Sequence, residues 1–236
     1  MSVIFVAGTD TNVGKTHVSG LLLDFFLKEG VKAGYQKWAA TGPESPPADL
    51  EACLRTAGLP LDLDPELVSR QVVYHFSLPA SPHLAAEQEG KVVDPALIRV
   101  RYQEMLARYE LLVVEGVGGI MVPLNRELLL ADLLRELKIP TLVVARSGLG
   151  TINHTLLTLE ALRHRDIPVL GVVFSDGATE EDALLVEDNM RTIAEMGRIA
   201  VLGCLAHSPD PDAAKADFVP VGQAILAAIR KGSAPC

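Results

Sequence analysis

The sequence predicts an α/β fold with a doubly wound, mostly parallel sheet that carries helices on both faces. Short apolar runs alternate with longer segments of helical period, which is the pattern of βαβ units joined by right-handed crossovers. A glycine-rich turn follows the first apolar run and leads into a helix. With 236 residues, 49% of them hydrophobic, the chain can bury a substantial core, and we expect a single domain over residues 1–236.

The predicted elements alternate regularly except over one long interruption. Residues 41–110 are rich in proline, glycine and acidic residues, and predict loops around short helices near 48–57 and 94–108. A stretch rich in Asp, Pro and Ala at 208–217 predicts a surface loop before the last helix. Apolar runs of strand length occupy residues 3–7, 33–37, 111–115, 141–145, 169–174 and 199–203. Segments of helical period occupy residues 14–29, 128–137, 151–165, 180–196 and 220–231.

Charge and cysteine content argue against several classes of function. The net charge of -9 and the pI of about 5.1 disfavour binding to nucleic acid or to an anionic membrane, because either needs a basic face. The three cysteines lie far apart, without histidines at ligand spacing, so they predict neither a disulfide framework nor a zinc site. The sequence shows no targeting or membrane-spanning segment, and we expect a cytoplasmic protein that acts on small molecules.

The glycine-rich turn at residues 8–16 has the composition of a phosphate-binding loop. Its glycines let backbone N–H groups turn towards phosphate oxygens, and the helix that follows adds its dipole. Lys15 would reach the β- and γ-phosphates, and the Thr16 hydroxyl would ligate Mg²⁺. Five residues separate Gly8 from Gly14 where the usual loop has four, so the loop is a variant of the one that defines the P-loop NTPase fold. We expect the nucleotide to be bound by Asp10, Thr11, Asn12, Val13, Gly14, Lys15 and Thr16.

Polar side chains follow the second predicted strand. Lys37 and Thr41 would lie on the rim beside the phosphate loop, where a lysine can neutralise charge on a transferring phosphoryl group. Asp49 comes after a proline-rich loop and is either a Mg²⁺ ligand or the N-cap of a helix at 50–57. The sequence leaves both roles open for Asp49.

The third long apolar run ends in Glu115, which precedes a glycine-rich turn. A carboxylate at the end of a buried strand is the arrangement expected of a Mg²⁺ ligand. Glycines in the turn allow a ligand to approach the backbone, and we expect Val117 and Gly118 to contact the nucleotide.

A second glycine turn, at residues 148–150, opens the predicted helix at 151–165 but contains no lysine. Free N–H groups at 150–153, with Thr151 as a possible cap, would suit a carboxylate better than a triphosphate. A glycine loop that serves only to enter the helix is an equally good interpretation.

These motifs together resemble dethiobiotin synthetase, in order, from the start of the chain to about residue 205. The resemblance implies an ATP- and Mg²⁺-dependent cyclo-ligase that converts 7,8-diaminononanoate and CO₂ into dethiobiotin, ADP and phosphate. The reaction would pass through a carbamate and a carbamic-phosphoric anhydride. The motifs that carry the resemblance occupy residues 8–16, 37–42, 81–83 (Ser-Pro-His), 115–119 and 150–154.

The resemblance also implies a role for individual residues. Lys15 and Lys37 would stabilise charge on the γ-phosphoryl group and are the expected catalytic residues. The family is a homodimer in which the turn at 149–153 reaches the partner's active site and receives the substrate carboxylate. The expected Mg²⁺ ligands are Thr16, Asp49 and Glu115. The expected substrate contacts are Thr11, Thr41, Gly150 and Asn153.

Three positions depart from the family pattern. Trp38 follows Lys37 where the family often has proline, and we expect it to alter the rim of the substrate groove. Ser175 and Asp176 stand where the family often has an Asn-Asp pair facing the base. Serine has one hydroxyl in place of the donor and acceptor of an amide, so ATP is expected but the base preference is open. Asn189 lies near the place where some members contact the substrate carboxylate with an aromatic residue.

Two other functions compete with the ligase. A P-loop ATPase of the partition or switch type would form no small-molecule product. Such proteins carry a second lysine five positions before the invariant one, and Asp10 occupies that position here. A relative of the synthases that amidate carboxylates would need a source of ammonia, and no catalytic cysteine triad is evident to supply it.

Overall fold

The computed structural model describes residues 2–175, 183–206 and 208–232, which form one sheet of seven parallel strands with helices around it. No helix within these ranges combines the length and the apolar character needed to cross a membrane. The strands are β1 (Ser2–Gly8), β2 (Ala33–Thr41), β3 (Val72–Phe76), β4 (Leu111–Gly119), β5 (Thr141–Ala145), β6 (Val169–Ser175) and β7 (Val201–Leu205). The helices are α1 (Lys15–Lys28), α2 (Ala48–Thr56), α3 (Pro65–Gln71), α4 (Pro82–Gln88), α5 (Pro95–Leu106), α6 (Leu130–Leu137), α7 (Thr151–Arg163), α8 (Ala183–Gly197) and α9 (Pro211–Gly232).

The strand order β3-β2-β4-β1-β5-β6-β7 places the functional motifs side by side. The chain winds outward from β1 to β3, returns to insert β4 between β2 and β1, and then continues on the other side from β5 to β7. Ligands of open parallel sheets bind beyond the carboxyl ends of the strands where the winding reverses, which here is next to β1. Glu115 of β4 lies in register with Val6 of β1 on one side and with Lys37 of β2 on the other.

Two apolar layers cover the sheet. The first layer lies between the sheet and helices α1, α2 and α9, and the second layer lies between the sheet and helices α4 to α8. Successive residues of a strand point to opposite faces, so Tyr35 lies in the first layer whereas Trp38 lies in the second. The Trp38 ring packs against Phe5, with the ring centroids 5.1 Å apart. Burial on both faces explains why the strands read as nearly continuous apolar runs.

The predicted fold class is confirmed, and so are the six predicted strands, but three elements within 41–110 were missed. The strand β3 has only five residues and lies at the edge of the sheet. The helices α3 and α4 are short, and each begins with a proline. Proline suits the first turn of a helix because that turn has no internal partner for its N–H. Pro65 and Pro82 therefore mark helix starts in a region whose composition predicts loops.

The predicted surface loop at 208–217 is wrong, because α9 begins at Pro211. Ala214 and Phe218 are buried in the first apolar layer, against the same face of the sheet as α1. The sequence interpretation began this helix at Pro220, whereas Pro220 lies inside α9. Pro220 therefore does not mark the start of the helix, because α9 continues through it.

Helices α1 and α2 approach each other closely at Gly20. A Cβ atom on Gly20 would lie 2.6 Å from Thr56 Cβ and 2.9 Å from the Cys53 carbonyl oxygen. This contact matters for the site because α1 carries Thr16 in its first turn and α2 carries Asp49 in its first turn. The small residue at position 20 thus sets how near these two side chains come.

We predict that Gly20→Ala destabilises the protein by about 1–3 kcal/mol, because the added methyl group forces the two helices apart. In a helix without this contact, replacement of glycine by alanine would stabilise the protein by about 1 kcal/mol. A loss of stability would therefore indicate the tight contact. Urea denaturation measures the free energy of unfolding.

Ser19→Ala is the control on the same helix, because it deletes a buried hydroxyl that has no hydrogen-bond partner among the described residues. The variant is expected to be at least as stable as the wild type, because it removes a buried hydroxyl without a partner and alanine favours a helix. A Gly20→Ala protein that is as stable as the wild type would contradict the tight contact.

Candidate active site

A pocket of about 390 Å³ opens at the carboxyl ends of β1, β2 and β4. Its walls come from the phosphate loop, the start of α1, the end of β2, the start of α2 and the end of β4, which continues beyond the predicted end at Glu115 to Gly119. The structure therefore brings together side chains from four separate segments of the sequence. The lining residues are Thr11, Asn12, Gly14, Lys15, Thr16, His17, Lys37, Thr41, Asp49, Glu115, Val117 and Gly118.

Two glycines give the phosphate loop its shape. Gly14 has a φ of 96°, in the left-handed region, directly before α1. A Cβ atom on Gly14 would lie 2.4 Å from Ser175 Oγ, so a larger residue has neither the conformation nor the room. A Cβ atom on Gly8 would lie 2.6 Å from Lys15 Nζ. The loop is thus closed tightly around the lysine side chain.

The ammonium group of Lys15 is buried inside the loop and donates to the Asp10 carbonyl oxygen at 2.7 Å. Burial, and next the nearby charge of Lys37, lower the pKa of Lys15 to about 8. A phosphate oxygen at this position would favour the charged form again. The geometry and charge of the loop therefore favour an anion.

Glu115 is 0% exposed, and donors reach both of its carboxylate oxygens. Oε1 accepts from Lys37 Nζ at 2.6 Å and from Thr16 Oγ1 at 2.8 Å, while Oε2 accepts from the Tyr35 hydroxyl at 2.8 Å. Asp49 lies beside two of these donors, because Oδ2 is 2.8 Å from Lys37 Nζ and Oδ1 is 3.0 Å from Thr16 Oγ1, whose single proton is shared between the two carboxylates. Lys37 and Thr16 thus bridge the two carboxylates.

The charges in this network support one another. Burial alone would lower the pKa of Lys37, but the charges of Glu115 and Asp49 outweigh it and raise that pKa. Burial alone would raise the pKa of Asp49, but Lys37 lowers it. Burial, and next the charge of Glu115, raise the pKa of Tyr35 well above 10. At neutral pH, Lys37 is therefore charged, Asp49 is ionised, and Tyr35 keeps its proton.

Thr16 Oγ1 lies 2.8 Å from Glu115 Oε1 and 3.0 Å from Asp49 Oδ1, so the three residues expected to ligate Mg²⁺ lie next to one another. Within the described parts of the chain, no group of three or more His, Cys, Asp or Glu could hold a metal ion. Two carboxylates and a hydroxyl nevertheless fit Mg²⁺, which proteins usually bind through one or two carboxylates together with water and substrate phosphates. The alternative role of Asp49 as an N-cap is wrong, because Pro47 precedes α2 at the cap position.

Among the other residues that were predicted to bind the nucleotide, Asp10, Val13 and Ser175 do not line the pocket. The side chain of Val13 is buried in the first apolar layer, so only its backbone faces the loop. The Asp10 carboxylate accepts from the neighbouring Thr11 N–H and lies 3.6 Å from Arg146, outside the lining of the pocket. Ser175 ends β6 directly against Gly14. Asp176 lies outside the described residues.

The second glycine turn does not line the phosphate pocket of its own chain. Gly150, with a φ of 89°, is the N-cap residue of α7, and both Gly150 and Asn153 are exposed to solvent. Thr151 is not the cap, because its hydroxyl donates to the Arg146 carbonyl at 2.6 Å. Its N–H donates to the Gly148 carbonyl, so the prediction of free N–H groups is wrong at this residue.

Asn189 supports this turn from inside the protein. It is buried, and its amide donates to the Ser147 carbonyl at 2.7 Å. The side chain therefore braces the chain that leads into the turn and is not available at the surface for a ligand.

The prediction that Trp38 alters the rim of the groove is wrong. Trp38 is completely buried in the second apolar layer, whereas Lys37 points to the opposite face. Lys37 is also not on the rim, because β2 continues four residues further to Thr41 and leaves Lys37 only 3% exposed.

Two residues at the site were missed. His17 lines the pocket, and its place directly after the Lys-Thr pair of the phosphate loop was a usable signal. Tyr35 lies two positions before Lys37, on the same face of a predicted strand, which also could have identified it.

Comparisons of the sequence with known proteins agree with one another. A model of the AAA domain family matches residues 2–215. The ATP-dependent dethiobiotin synthetase BioD of Methanocaldococcus jannaschii is 35% identical over 212 residues, covering 88% of this chain and 95% of the relative. The protein of the same name from Brucella ovis is 40% identical over 205 residues, covering 86% and 85%.

Comparisons of the structure identify the fold. The cell division ATPase MinD of Pyrococcus furiosus has a TM-score of 0.60 at 12% identity, over 98% of each chain. Apo McdA from Cyanothece has a TM-score of 0.57 at 12% identity, over 97% of this chain and 99% of the other. At such low identity, the likeness shows that the folds agree and carries no statement about activity.

We predict that Glu115→Gln destabilises the protein by roughly 3 kcal/mol, because Lys37 would lose a charged partner in a fully buried position. Asp49→Asn is the matched comparison, since it leaves Glu115 in place and changes a side chain that is 37% exposed. Its cost is expected to stay below about 1 kcal/mol.

Urea denaturation at pH 7 without nucleotide measures both losses. Equal losses for the two variants would contradict the view that Glu115 is the principal partner of Lys37.

Proposed function

The chain belongs to the dethiobiotin synthetase family, and from this premise we propose that the pocket holds Mg²⁺-ATP and 7,8-diaminononanoate side by side. The protein is an ATP-dependent cyclo-ligase that forms dethiobiotin from this diamine and CO₂. The observation that supports the residue assignments is the position of Lys37, which lies between Glu115 and Asp49 beside the phosphate loop.

The phosphate loop binds the triphosphate. The dipole of α1 and the backbone N–H groups before it favour phosphate oxygens, and Lys15 exchanges the Asp10 carbonyl for one of them. The residues that would hold Mg²⁺ are Thr16, Asp49 and Glu115. When bound, this ion neutralises phosphate charge and orients the γ-phosphoryl group.

Lys37 stabilises the charge that spreads over the γ-phosphoryl group and the attacking carbamate. Its ammonium group is already removed from water and oriented by two carboxylates before any ligand binds. A charge that is fixed in advance needs no reorganisation in the transition state, which makes it effective in catalysis.

The reaction needs no nucleophile from the protein. One amine of the diamine captures CO₂ as a carbamate and releases a proton. A carbamate oxygen then attacks the γ-phosphorus, and ADP leaves. The second amine attacks the carbonyl carbon, and phosphate leaves as the urea ring closes. Thr11 and Thr41 line the pocket and orient the diamine and the carbamate, so they contribute by positioning.

The nucleoside lies along the end of β4 and the end of β6. Val117 and Gly118 approach it through their backbone, and Ser175 faces the base. Ser175 stands against Gly14 and offers a single hydroxyl, which discriminates between bases less strictly than an amide.

Two copies of the chain form a homodimer in which Gly150 and Asn153 of one copy receive the substrate carboxylate of the other. Leu149, in the turn before α7, is 91% exposed, and Leu157 on the same helix is 56% exposed. Apolar side chains so exposed beside a functional turn favour burial against a partner. Each chain contributes one domain, and the enzyme works in the cytoplasm, where ATP is supplied.

No observation favours the switch-type ATPase with no small-molecule product. The likeness to MinD and McdA is one of fold alone, and Asp10 replaces the second lysine of such ATPases. The similarity in sequence is to dethiobiotin synthetases.

We predict that the purified protein, given Mg²⁺-ATP, bicarbonate and 7,8-diaminononanoate, releases phosphate and forms the cyclic urea together. Phosphate release and mass spectrometry follow the two products. Lys37→Met should lower turnover by about 10²–10³-fold, because it removes a fixed charge from the transition state.

Lys91→Met is the control, since Lys91 is an exposed lysine paired with Glu89 away from the phosphate pocket. Its turnover should match that of the wild type. Phosphate release that does not depend on the diamine, without the urea, would refute the proposed reaction.

We also predict that Leu149→Asp converts the dimer into monomers, because it places a charge in an apolar interface. Light scattering coupled to gel filtration measures the mass. Turnover should fall more than tenfold, since each site would lose the turn from the other copy.

Leu63→Asp tests the same change at an exposed leucine between α2 and α3, and it should leave mass and turnover unaltered. A Leu149→Asp protein that remains dimeric and active would exclude this interface.

A further inference from the structure

Tyr35 contacts the active-site carboxylate from the side of the protein core. Its hydroxyl donates to Glu115 Oε2 at 2.8 Å, and the residue is only 1% exposed. Tyr35 is a member of the apolar layer under α1 and does not line the pocket. The other carboxylate oxygen, Oε1, faces Lys37 and Thr16.

The register of the sheet explains why one strand holds both oxygens of this carboxylate. Lys37 and Tyr35 are two positions apart on β2, so their side chains point to the same face. Lys37 is paired with Glu115 in the neighbouring strand β4, and Tyr35 is paired with Val113. Two side chains of β2 thus hold Glu115, one at each oxygen, and only the edge that carries Oε1 faces the phosphate loop.

We propose that Tyr35 is a positioning residue, whose hydroxyl fixes the orientation of Glu115 so that Oε1 faces the cation site. The proposal rests on the proposed function, in which Glu115 and Thr16 hold Mg²⁺. Tyr35 itself touches neither the nucleotide nor the diamine, because it lies outside the lining of the pocket.

Removal of the hydroxyl would leave Oε2 buried without another partner among the described residues. Bulk water does not reach Oε2 from the side of the lost hydroxyl, because Tyr35 is only 1% exposed. The carboxylate would then turn to share the donors of Oε1, and those donors include the Thr16 hydroxyl of the cation site. Loss of a group that orients a metal ligand typically weakens metal binding by about 10–100-fold.

The test compares Tyr35→Phe with Tyr102→Phe in the full chain. Tyr102 is also a buried tyrosine, but it lies in the layer on the other face of the sheet. Electron paramagnetic resonance measures the binding of Mn²⁺ in the presence of ADP and without diamine. We expect the Kd for Mn²⁺ to rise about tenfold or more in Tyr35→Phe and to stay unchanged in Tyr102→Phe.

Kinetics give a second readout that a purely structural role would not produce. The Mg²⁺ concentration for half-maximal turnover should rise by the same factor in Tyr35→Phe. The kcat at saturating Mg²⁺ should fall by less than about threefold, because Glu115 is still present to be reoriented by the ion.

Unchanged Mn²⁺ affinity in a folded Tyr35→Phe protein would overturn the proposal. Equal losses in the two tyrosine variants would also overturn it, since they would indicate a general effect of packing. A wild-type protein that binds Mn²⁺ and ADP normally but forms no dethiobiotin would refute the proposed reaction alone, and the effect of Tyr35→Phe on Mn²⁺ would still be measurable.

Fluorine NMR answers the same question if Tyr35→Phe does not fold. The wild-type protein is labelled with 3-fluorotyrosine, and the Tyr35 resonance is assigned by elimination with phenylalanine variants of the other three tyrosines. Addition of Mg²⁺ and ADP should shift the Tyr35 resonance and leave that of Tyr102 in place. A Tyr35 resonance that does not move would overturn the proposal.

Discussion

A fully buried carboxylate is stable only when donors reach its oxygens, and Glu115 imposes this requirement on the whole active site. The donors come from β2, which contributes Tyr35 and Lys37, and from the first turn of α1, which contributes Thr16. The register between β2 and β4 and the place where α1 begins must therefore agree to within a hydrogen-bond length. The same contacts that satisfy the carboxylate also bring Lys37, Thr16 and Asp49 together beside the phosphate loop.

The pocket is close to electrically balanced before any ligand arrives. The pocket is lined by two basic side chains, Lys15 and Lys37, and by two acidic ones, Glu115 and Asp49, so their formal charges cancel. A triphosphate adds negative charge that these side chains do not offset. In the proposed function, a divalent cation that arrives with the nucleotide offsets part of this charge.

Much of this arrangement could be predicted from the sequence, because strong local signals carried it. The phosphate loop, Glu115 and Lys37 each follow an apolar run, and the carboxyl ends of parallel strands meet at one edge of a sheet.

The orientation of single side chains was harder to predict. Trp38 was expected on the groove because the end of β2 was placed too early, and the alternation of the strand sends it to the opposite layer. The short proline-led helices and β3 were missed because their local composition is that of loops. The role of Asn189 depends on a carbonyl group some forty positions away in sequence, which no local pattern encodes.

The alternation along β2 has a consequence for how this protein can diverge. Tyr35 and Lys37 belong to one face of the sheet and Trp38 belongs to the other, and the two sets are interleaved within four residues. Insertion or deletion of a single residue between the start of β2 and Lys37 would exchange the two faces and put the charge of Lys37 in the apolar layer; a deletion would also put the indole of Trp38 in the place of the ammonium group. Descendants of this chain can therefore vary β2 by substitution, while changes in its length are confined to the loops at either end of the strand.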